Sequence, residues 1–131
     1  MSFTAKALGI TKHGGRLYRY TDQSGANAAL NEAIAAPGAN WRLVSVSAVY
    51  SAAPTQAGVA ITTVAGAGAA WNTQLFKGAA NAQYTNYPDQ ASGEHADAGG
   101  PLYGGDDAIN VNAPAGGAGI TVAVSIYIEV F

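Results

Sequence analysis

The clearest hydrophobic pattern lies at the end of the sequence, in GITVAVSIYIEVF at positions 119–131. Every second residue of this segment is β-branched and apolar: Ile120, Val122, Val124, Ile126, Ile128 and Val130. A period of two places these side chains on one face of a β-strand, whereas a helix would scatter them around its circumference. β-Branched residues also disfavour helix. The segment is therefore predicted to be a long strand with one fully apolar face.

Other segments show the same period over shorter distances. Residues 41–50 (WRLVSVSAVY) alternate less cleanly, and Pro54 separates them from a second run at 58–64 (GVAITTV). That separation is typical of a hairpin or meander. Further short strands are predicted at 16–20, 74–76 and 108–112. Several short strands with turn residues between them predict an all-β fold, an antiparallel β-sandwich or barrel.

One short helix is expected near residues 27–36. Asn27 is a suitable helix N-cap, and the four-residue spacing of Leu30 and Ile34 puts both on one helix face. The pair Pro37-Gly38 would end the helix. Its length is marginal without packing, so it is expected at the edge of a sheet.

A long connection is expected at residues 81–100, where Tyr84 and Tyr87 are the only large apolar residues. Loops of this length are uncommon in compact domains and are often interaction elements. The alternative is that the segment contains a short irregular strand.

The composition describes one small domain with a modest core. Half of the 131 residues are hydrophobic by type (49%), but 29 residues are Ala and 17 are Gly. Burying an Ala methyl contributes about 0.8 kcal/mol, whereas a buried Val or Ile contributes about 1.5–3 kcal/mol. A self-assembled or bound state is therefore expected to supply part of the apolar burial.

Positive charge is concentrated at the start of the chain. Lys6, Lys12, Arg16 and Arg19 precede the first acidic residue, Asp22, so residues 1–21 carry +4 in a chain whose net charge is −2. Residues 1–21 are either a basic N-terminal arm or a first strand with a solvated face. Residues 22–131 are expected to form a single β-sandwich domain.

Several classes of protein are not expected from this composition. The chain has no Cys, which removes disulfides, thiolate zinc sites and cysteine nucleophiles. No segment approaches the roughly 18 apolar residues of a membrane span, and the first residues lack the apolar core of a signal peptide. The chain is therefore expected to be made in a cytoplasm, with no membrane partner. A net charge of −2 does not suggest a nucleic-acid partner either.

Residues with tunable chemistry are few, so no catalysis, cofactor or metal is expected. The two histidines are His13 and His95, both flanked by Gly-rich sequence. Glu94, His95 and Asp97 have the ligand types of a divalent metal site, but a solvated loop explains them more simply. Asp106-Asp107 after two glycines predicts a tight turn, with calcium binding as the weaker alternative.

Four aromatic residues fall in or beside the predicted loops: Trp71, Tyr84, Tyr87 and Tyr103. Exposed aromatic rings anchor protein interfaces, where Tyr and Trp are enriched. A sugar-binding platform is the alternative. The interface is favoured because hydrogen-bonding residues for sugar hydroxyls are not clustered around these positions.

The order of these features resembles a known family. A basic first segment is followed by WRLVSVSAVY, a Pro break, GVAITTV, a Gly- and Tyr-rich middle, LYGGDDAINV and the alternating last strand. This order is similar to that of the small jelly-roll cement or decoration proteins of tailed-bacteriophage heads. The resemblance covers roughly residues 40–131, and Gly105-Asp106 matches the pair that often opens a late strand in that family.

The resemblance implies a jelly-roll-like sandwich and a structural role on the virion. The implied partner is the major capsid protein, whose subunits such a protein joins on the outer capsid surface, as a homodimer or homotrimer. The expected contact residues are Lys6, Lys12, Arg16, Arg19, Trp71, Tyr84, Tyr87 and Phe131. The alternative function is a carbohydrate-binding β-sandwich module of a fibre or adhesin.

Overall fold

The computed structural model describes residues 2–56, 58–87 and 102–131, and all pairing between its strands is antiparallel. One 3₁₀ turn at Ala69–Trp71 is the only helical element in these residues. The strands are β1 (Thr4–Ile10), β2 (Arg16–Gln23), β3 (Leu30–Ile34), β4 (Trp41–Tyr50), β5 (Ala60–Val64), β6 (Gln74–Lys77), β7 (Tyr84–Tyr87), β8 (Ala108–Ala113) and β9 (Val122–Val130).

The strands form two sheets, a five-stranded sheet in the order β1-β2-β9-β4-β7 and a four-stranded sheet in the order β3-β8-β5-β6. Four of the strand pairs are those of one long hairpin folded over on itself: β2 with β9, β3 with β8, β4 with β7 and β5 with β6. Pairing of β4 with β9 and of β5 with β8 completes the sheets. This connectivity is that of a jelly roll. The predicted all-β antiparallel sandwich is therefore confirmed, and β1 is an additional strand at one edge.

The core lies between the two sheets and uses the alternating residues of the predicted strands. Its buried apolar residues are Leu30, Ile34, Trp41, Leu43, Val46, Ala48, Tyr50, Val59, Ile61, Ile109, Val111, Ala113, Val122, Val124, Ile126 and Ile128. The imperfect alternation of β4 has a local cause, because a β-bulge between Leu43 and Ser45 inserts one extra residue. Inward-facing residues therefore change parity at Val44.

The predicted helix near residues 27–36 is wrong, because residues 30–34 form strand β3. Leu30 and Ile34 are four residues apart, a spacing that shares one face in a strand as well as in a helix. In the fold these two residues pair with Ala113 and Ile109 of β8 and are buried. A ten-residue helix has little stability of its own, so sheet pairing and burial decide the structure.

The predicted strands at 16–20, 41–50, 58–64, 74–76, 108–112 and the end of the chain are confirmed, with bounds that differ by a few residues. Within the segment 81–100, residues 84–87 form strand β7, the short strand that was the alternative interpretation. Positions 88–100 lie outside the described residues.

Candidate partner-binding surface

The basic first segment is built into the five-stranded sheet. Strands β1 and β2 form an antiparallel hairpin, and β2 pairs with β9 along its whole length. Lys6, Arg16 and Arg19 therefore occupy fixed positions in a sheet, and Lys12 lies in the turn that joins the two strands. We call residues 4–23 the basic hairpin.

The register assigns each cation to a face of the sheet. Lys6 lies opposite Arg19, which lies opposite Tyr127, and these residues face away from the core. Arg16 lies opposite Val130 and shares the inner face, yet it is exposed. The outer face of the basic hairpin therefore has two adjacent cations, and the inner face has a third near the turn.

Strand β1 extends beyond the cover of the opposite sheet. All seven of its residues are exposed, including Ala5 and Ala7 on its inner face. Ile10 is 74% exposed and Leu8 is 40% exposed. The five-stranded sheet is one strand wider than the four-stranded sheet, so the apolar side chains of β1 have no opposite strand among the described residues.

A buried ion pair lies under the turn of the basic hairpin. Arg42 of β4 and Glu129 of β9 are opposite one another on the outer face, and Arg42 Nε donates to Glu129 Oε1 at 2.5 Å. Glu129 has no exposed surface. The hydroxyl of Thr11 donates to Glu129 Oε2 and accepts from the backbone amide of Gly15 at 3.1 Å. This network joins the hairpin turn to the two central strands.

Gly15 allows the turn to lie directly on this carboxylate. A Cβ at position 15 would lie 2.7 Å from Glu129 Cγ and 3.0 Å from Cε1 of the Phe131 ring. The absence of a side chain therefore permits the close approach of the backbone. Phe131, a predicted contact residue, packs against the turn and remains 45% exposed.

The Glu129 carboxyl is held in its ionised form. Burial alone would raise its pKa, but the hydrogen bonds from Thr11 and Arg42 and the positive charge of Arg42 outweigh burial and lower the pKa. The stabilisation from this group is present above the ordinary carboxyl pKa and is lost as the pH falls through the lowered value. The interactions of Thr11 and Arg42 with Glu129, which hold the hairpin turn, are therefore expected to weaken in acid.

A pair of carboxyl groups lies at the end of the basic hairpin that is opposite the turn. Asp22 of β2 and Glu32 of β3 come from different sheets, and Oδ2 of Asp22 and both carboxylate oxygens of Glu32 are buried without a hydrogen-bond partner among the described residues. Burial, reinforced by the nearby Asp22 carboxyl, raises the pKa of Glu32 to about 7. Glu32 is therefore mostly protonated below about pH 7 and mostly ionised above it.

Glu32→Gln is expected to reduce the loss of stability between pH 5 and pH 8. Because the folded pKa of Glu32 is raised, its stabilising contribution is present below the unfolded pKa and is lost as the pH rises toward 7. The measurement is Tm against pH for the wild type, Glu32→Gln and Asp106→Asn, an exposed carboxyl that serves as control. Parallel profiles for the wild type and Glu32→Gln would contradict the assignment.

The four predicted aromatic anchors lie in four different surroundings. Trp71 is in the β5–β6 connection, 70% exposed, and Tyr84 begins β7 at 65% exposure. Tyr87 is half-buried against Phe76, with ring centroids 5.2 Å apart. Tyr103 stacks on buried Trp41 at 4.9 Å. These rings do not form a common platform, and only Trp71 and Tyr84 are broadly exposed.

The Asp106-Asp107 segment forms the predicted tight turn. Asp107 Oδ2 accepts from the amide of Gly104 at 3.1 Å, and its Oδ1 accepts from the amide of Gly66 at 3.0 Å. The Asp107 side chain is thus used to hold two backbone segments together. Within residues 2–56, 58–87 and 102–131, no group of three or more His, Cys, Asp or Glu side chains is placed to hold a metal ion. The metal candidates Glu94, His95 and Asp97 lie outside these ranges.

Sequence reasoning missed the residues that fasten the hairpin. In the sequence Glu129 lies between the apolar positions of the last strand, and nothing in the pattern of residues 41–50 marks Arg42. The available signal was their opposite charge in two predicted strands, and it indicates an ion pair only when the β4–β9 register is known. Thr11 gave no signal, because its partner Glu129 is 118 residues away.

No protein-family model, curated protein or solved structure matches the chain. In the part of the chain that the structure describes, no helix is long and apolar enough to cross a membrane.

Proposed function

We propose that this chain is a structural virion protein that binds the outer surface of a phage capsid and reinforces contacts between major capsid subunits. The supporting observation is the basic hairpin, which extends beyond the opposite sheet and is fastened to the central strands by a buried network. The proposal gives the chain a binding role and no catalysis.

The hairpin combines features that suit a protein partner. Lys6 and Arg16 are exposed, and Leu8 and Ile10 expose apolar surface beside them. Apolar contacts supply affinity, while the cations steer association with an acidic surface and fix orientation. The jelly-roll connectivity is compatible with the proposal, since such double-sheet folds occur in viral capsid domains and in lectins.

The same proposal includes a homo-oligomer, a dimer or a trimer, on the capsid. The support is the exposed apolar surface at sites other than β1, which includes Trp71 and Phe131. Binding or assembly of the folded chain would stabilise it by mass action.

Reversing two hairpin charges is expected to weaken capsid binding strongly. In Lys6→Glu/Arg16→Glu, two exposed cations become anions facing an acidic capsid surface, so the affinity should fall by more than about tenfold, with the largest effect at low salt. The assay is co-sedimentation of the purified chain with heads of the phage that encodes it. Lys77→Glu, an exposed cation at the far edge of the other sheet, is the matched control.

Deletion experiments at this site need a defined boundary. Removing residues 1–15 would delete Thr11 and Gly15, which lie on buried Glu129, so it would test stability as well as binding. Removing residues 2–10 leaves the turn in place.

The co-sedimentation assay has two outcomes that count against the proposal. If the wild type does not co-sediment, the proposed function is wrong. If Lys6→Glu/Arg16→Glu binds as the wild type does, the hairpin is not the contact.

Carbohydrate binding is a second candidate because a groove of about 340 Å³ lies between β6 and β7. Its lining includes Phe76, Lys77, Tyr84 and Asn86. An exposed tyrosine ring beside an amide and an ammonium offers both stacking and hydrogen bonding to a sugar. Glycan-array binding that is lost in Tyr84→Ala and kept in Trp71→Ala would favour this candidate over the capsid role.

A further inference from the structure

We propose that the free edge of β1 accepts an extended, acidic segment of a partner protein as an added strand. The inference rests on the proposed function and deepens it, because it specifies how the capsid protein would be held. It follows from the backbone hydrogen bonds of the basic hairpin, the exposure of β1 and the distribution of charge.

The backbone alternation shows which groups of β1 are available. The backbone amide of Ser24 donates to the carbonyl of Val122, so the even-numbered residues of β2 direct their backbone groups toward β9. The odd-numbered residues of β2 therefore direct their amides and carbonyls toward β1. In the same way, the backbone amide of Thr11 donates to the carbonyl of Gly15, an odd-numbered residue just before β2. The bonded positions of β1 are therefore Thr4, Lys6 and Gly9, and a register irregularity between Ala7 and Gly9 leaves Leu8 without a partner in β2. Ala5, Ala7 and Ile10 point their backbone groups away from β2.

These outward groups form an edge that a strand can join. Among the described residues, no strand pairs with β1 on the side away from β2. An extended segment that adds to such an edge gains backbone hydrogen bonds, while its alternate side chains contact the neighbouring strand. The small side chains of Ala5 and Ala7 leave the edge accessible, and exposed Ile10 provides an apolar contact.

Charge selects an acidic segment over a second copy of this chain. Lys6 and Arg19 are neighbours on the outer face, and Arg16 is exposed near the turn. Antiparallel pairing of two β1 edges would bring two such sets of cations together, and like charges on paired strands are destabilising. A strand with Glu or Asp on its outer face would instead place carboxylates beside Lys6.

A peptide selection tests this inference on the full chain. Short linear peptides from a random library are selected on the immobilised wild type, and the strongest binder is measured by titration. We expect selected sequences with acidic residues at alternate positions. Binding should fall by about tenfold or more in Ala7→Pro, which removes one outward donor. Proline is tolerated at edge positions whose amide faces solvent, and Ala7→Val is the control that keeps the donor.

Two further measurements keep the test decisive. Amide hydrogen exchange should slow at Ala5, Ala7 and Ile10 when the peptide binds, because these donors become bonded. Selection on Lys6→Glu should favour basic in place of acidic peptides. Unchanged binding in Ala7→Pro, unchanged exchange at the three amides, or unchanged selection on Lys6→Glu would each overturn strand addition, as would self-association through β1 in the absence of peptide.

The inference and the proposed function fail in different ways. If acidic peptides add to β1 but the chain does not co-sediment with heads, the edge is a binding site and the capsid role is wrong. If the chain co-sediments with heads equally well as wild type and as Ala7→Pro, the capsid role stands and strand addition is wrong.

Discussion

Arg42→Met is expected to lower the free energy of unfolding by about 3–5 kcal/mol, because it leaves a buried carboxylate without its cation. Glu129 has no exposed surface, and its remaining side-chain hydrogen bond comes from Thr11. The measurement is urea unfolding at neutral pH, where the wild-type carboxyl is ionised. A loss below about 1 kcal/mol, the range of exposed pairs, would contradict the description of this pair as buried.

The double variant Arg42→Met/Glu129→Leu separates the cost of an unpaired charge from the contribution of the pair. Replacing both ions by apolar side chains is often neutral or stabilising, so the double variant should recover most of the lost stability. Recovery would show that the pair contributes little net stability and that the loss in Arg42→Met is the cost of an unpaired buried charge. A double variant as unstable as the single one would show that the pair itself is strongly stabilising.

Trp41→Ala is expected to destabilise the sandwich by about 3–5 kcal/mol, the range for truncation of a large buried aromatic residue. The Trp41 side chain is fully buried and stacks on Tyr103. Its Nε1 donates to the carbonyl oxygens of Gly104 and Asp107, both at 3.1 Å. Truncation therefore removes core volume and the contact between β4 and the turn before β8.

Trp41→Phe distinguishes these two contributions. The phenyl ring keeps much of the apolar contact but cannot donate, so the carbonyls of Gly104 and Asp107 lose a shared donor, at an expected cost of about 1–3 kcal/mol. Urea unfolding of both variants gives the comparison. If Trp41→Phe is as stable as the wild type, the indole hydrogen bonds contribute nothing and packing alone explains the position.

The strand with the strongest signal, β9, has a long period-two pattern of β-branched residues, whereas the confirmed strands at 16–20 and 74–76 are short and contain none. Strand β9 was recognisable because six such residues alternate, and β4 was recognisable despite its bulge. Strand β3 was mistaken for a helix because a four-residue spacing of apolar residues fits both structures. Strand β1 gave no pattern, since it faces solvent along its whole length and packs against no opposite strand.

The candidate surface was partly predictable for a similar reason. The cluster of four basic residues before Asp22 is visible in the sequence, and it locates the basic hairpin. Its fastening depends on Thr11, Arg42 and Glu129, which are far apart in the chain and meet only through the jelly-roll pairing of β4, β9 and β2. Long-range register is a property of the fold, and single-sequence periodicity does not contain it.

The most direct test of the capsid role is an electron cryomicroscopy map of phage heads that lack this chain, before and after incubation with the purified protein. If the chain binds the capsid as proposed, the map will show added density at regular lattice positions on the outer surface, with the basic hairpin as the part nearest the capsid subunits. Heads without added density, or added density in which the hairpin points away from the shell, would contradict the proposal.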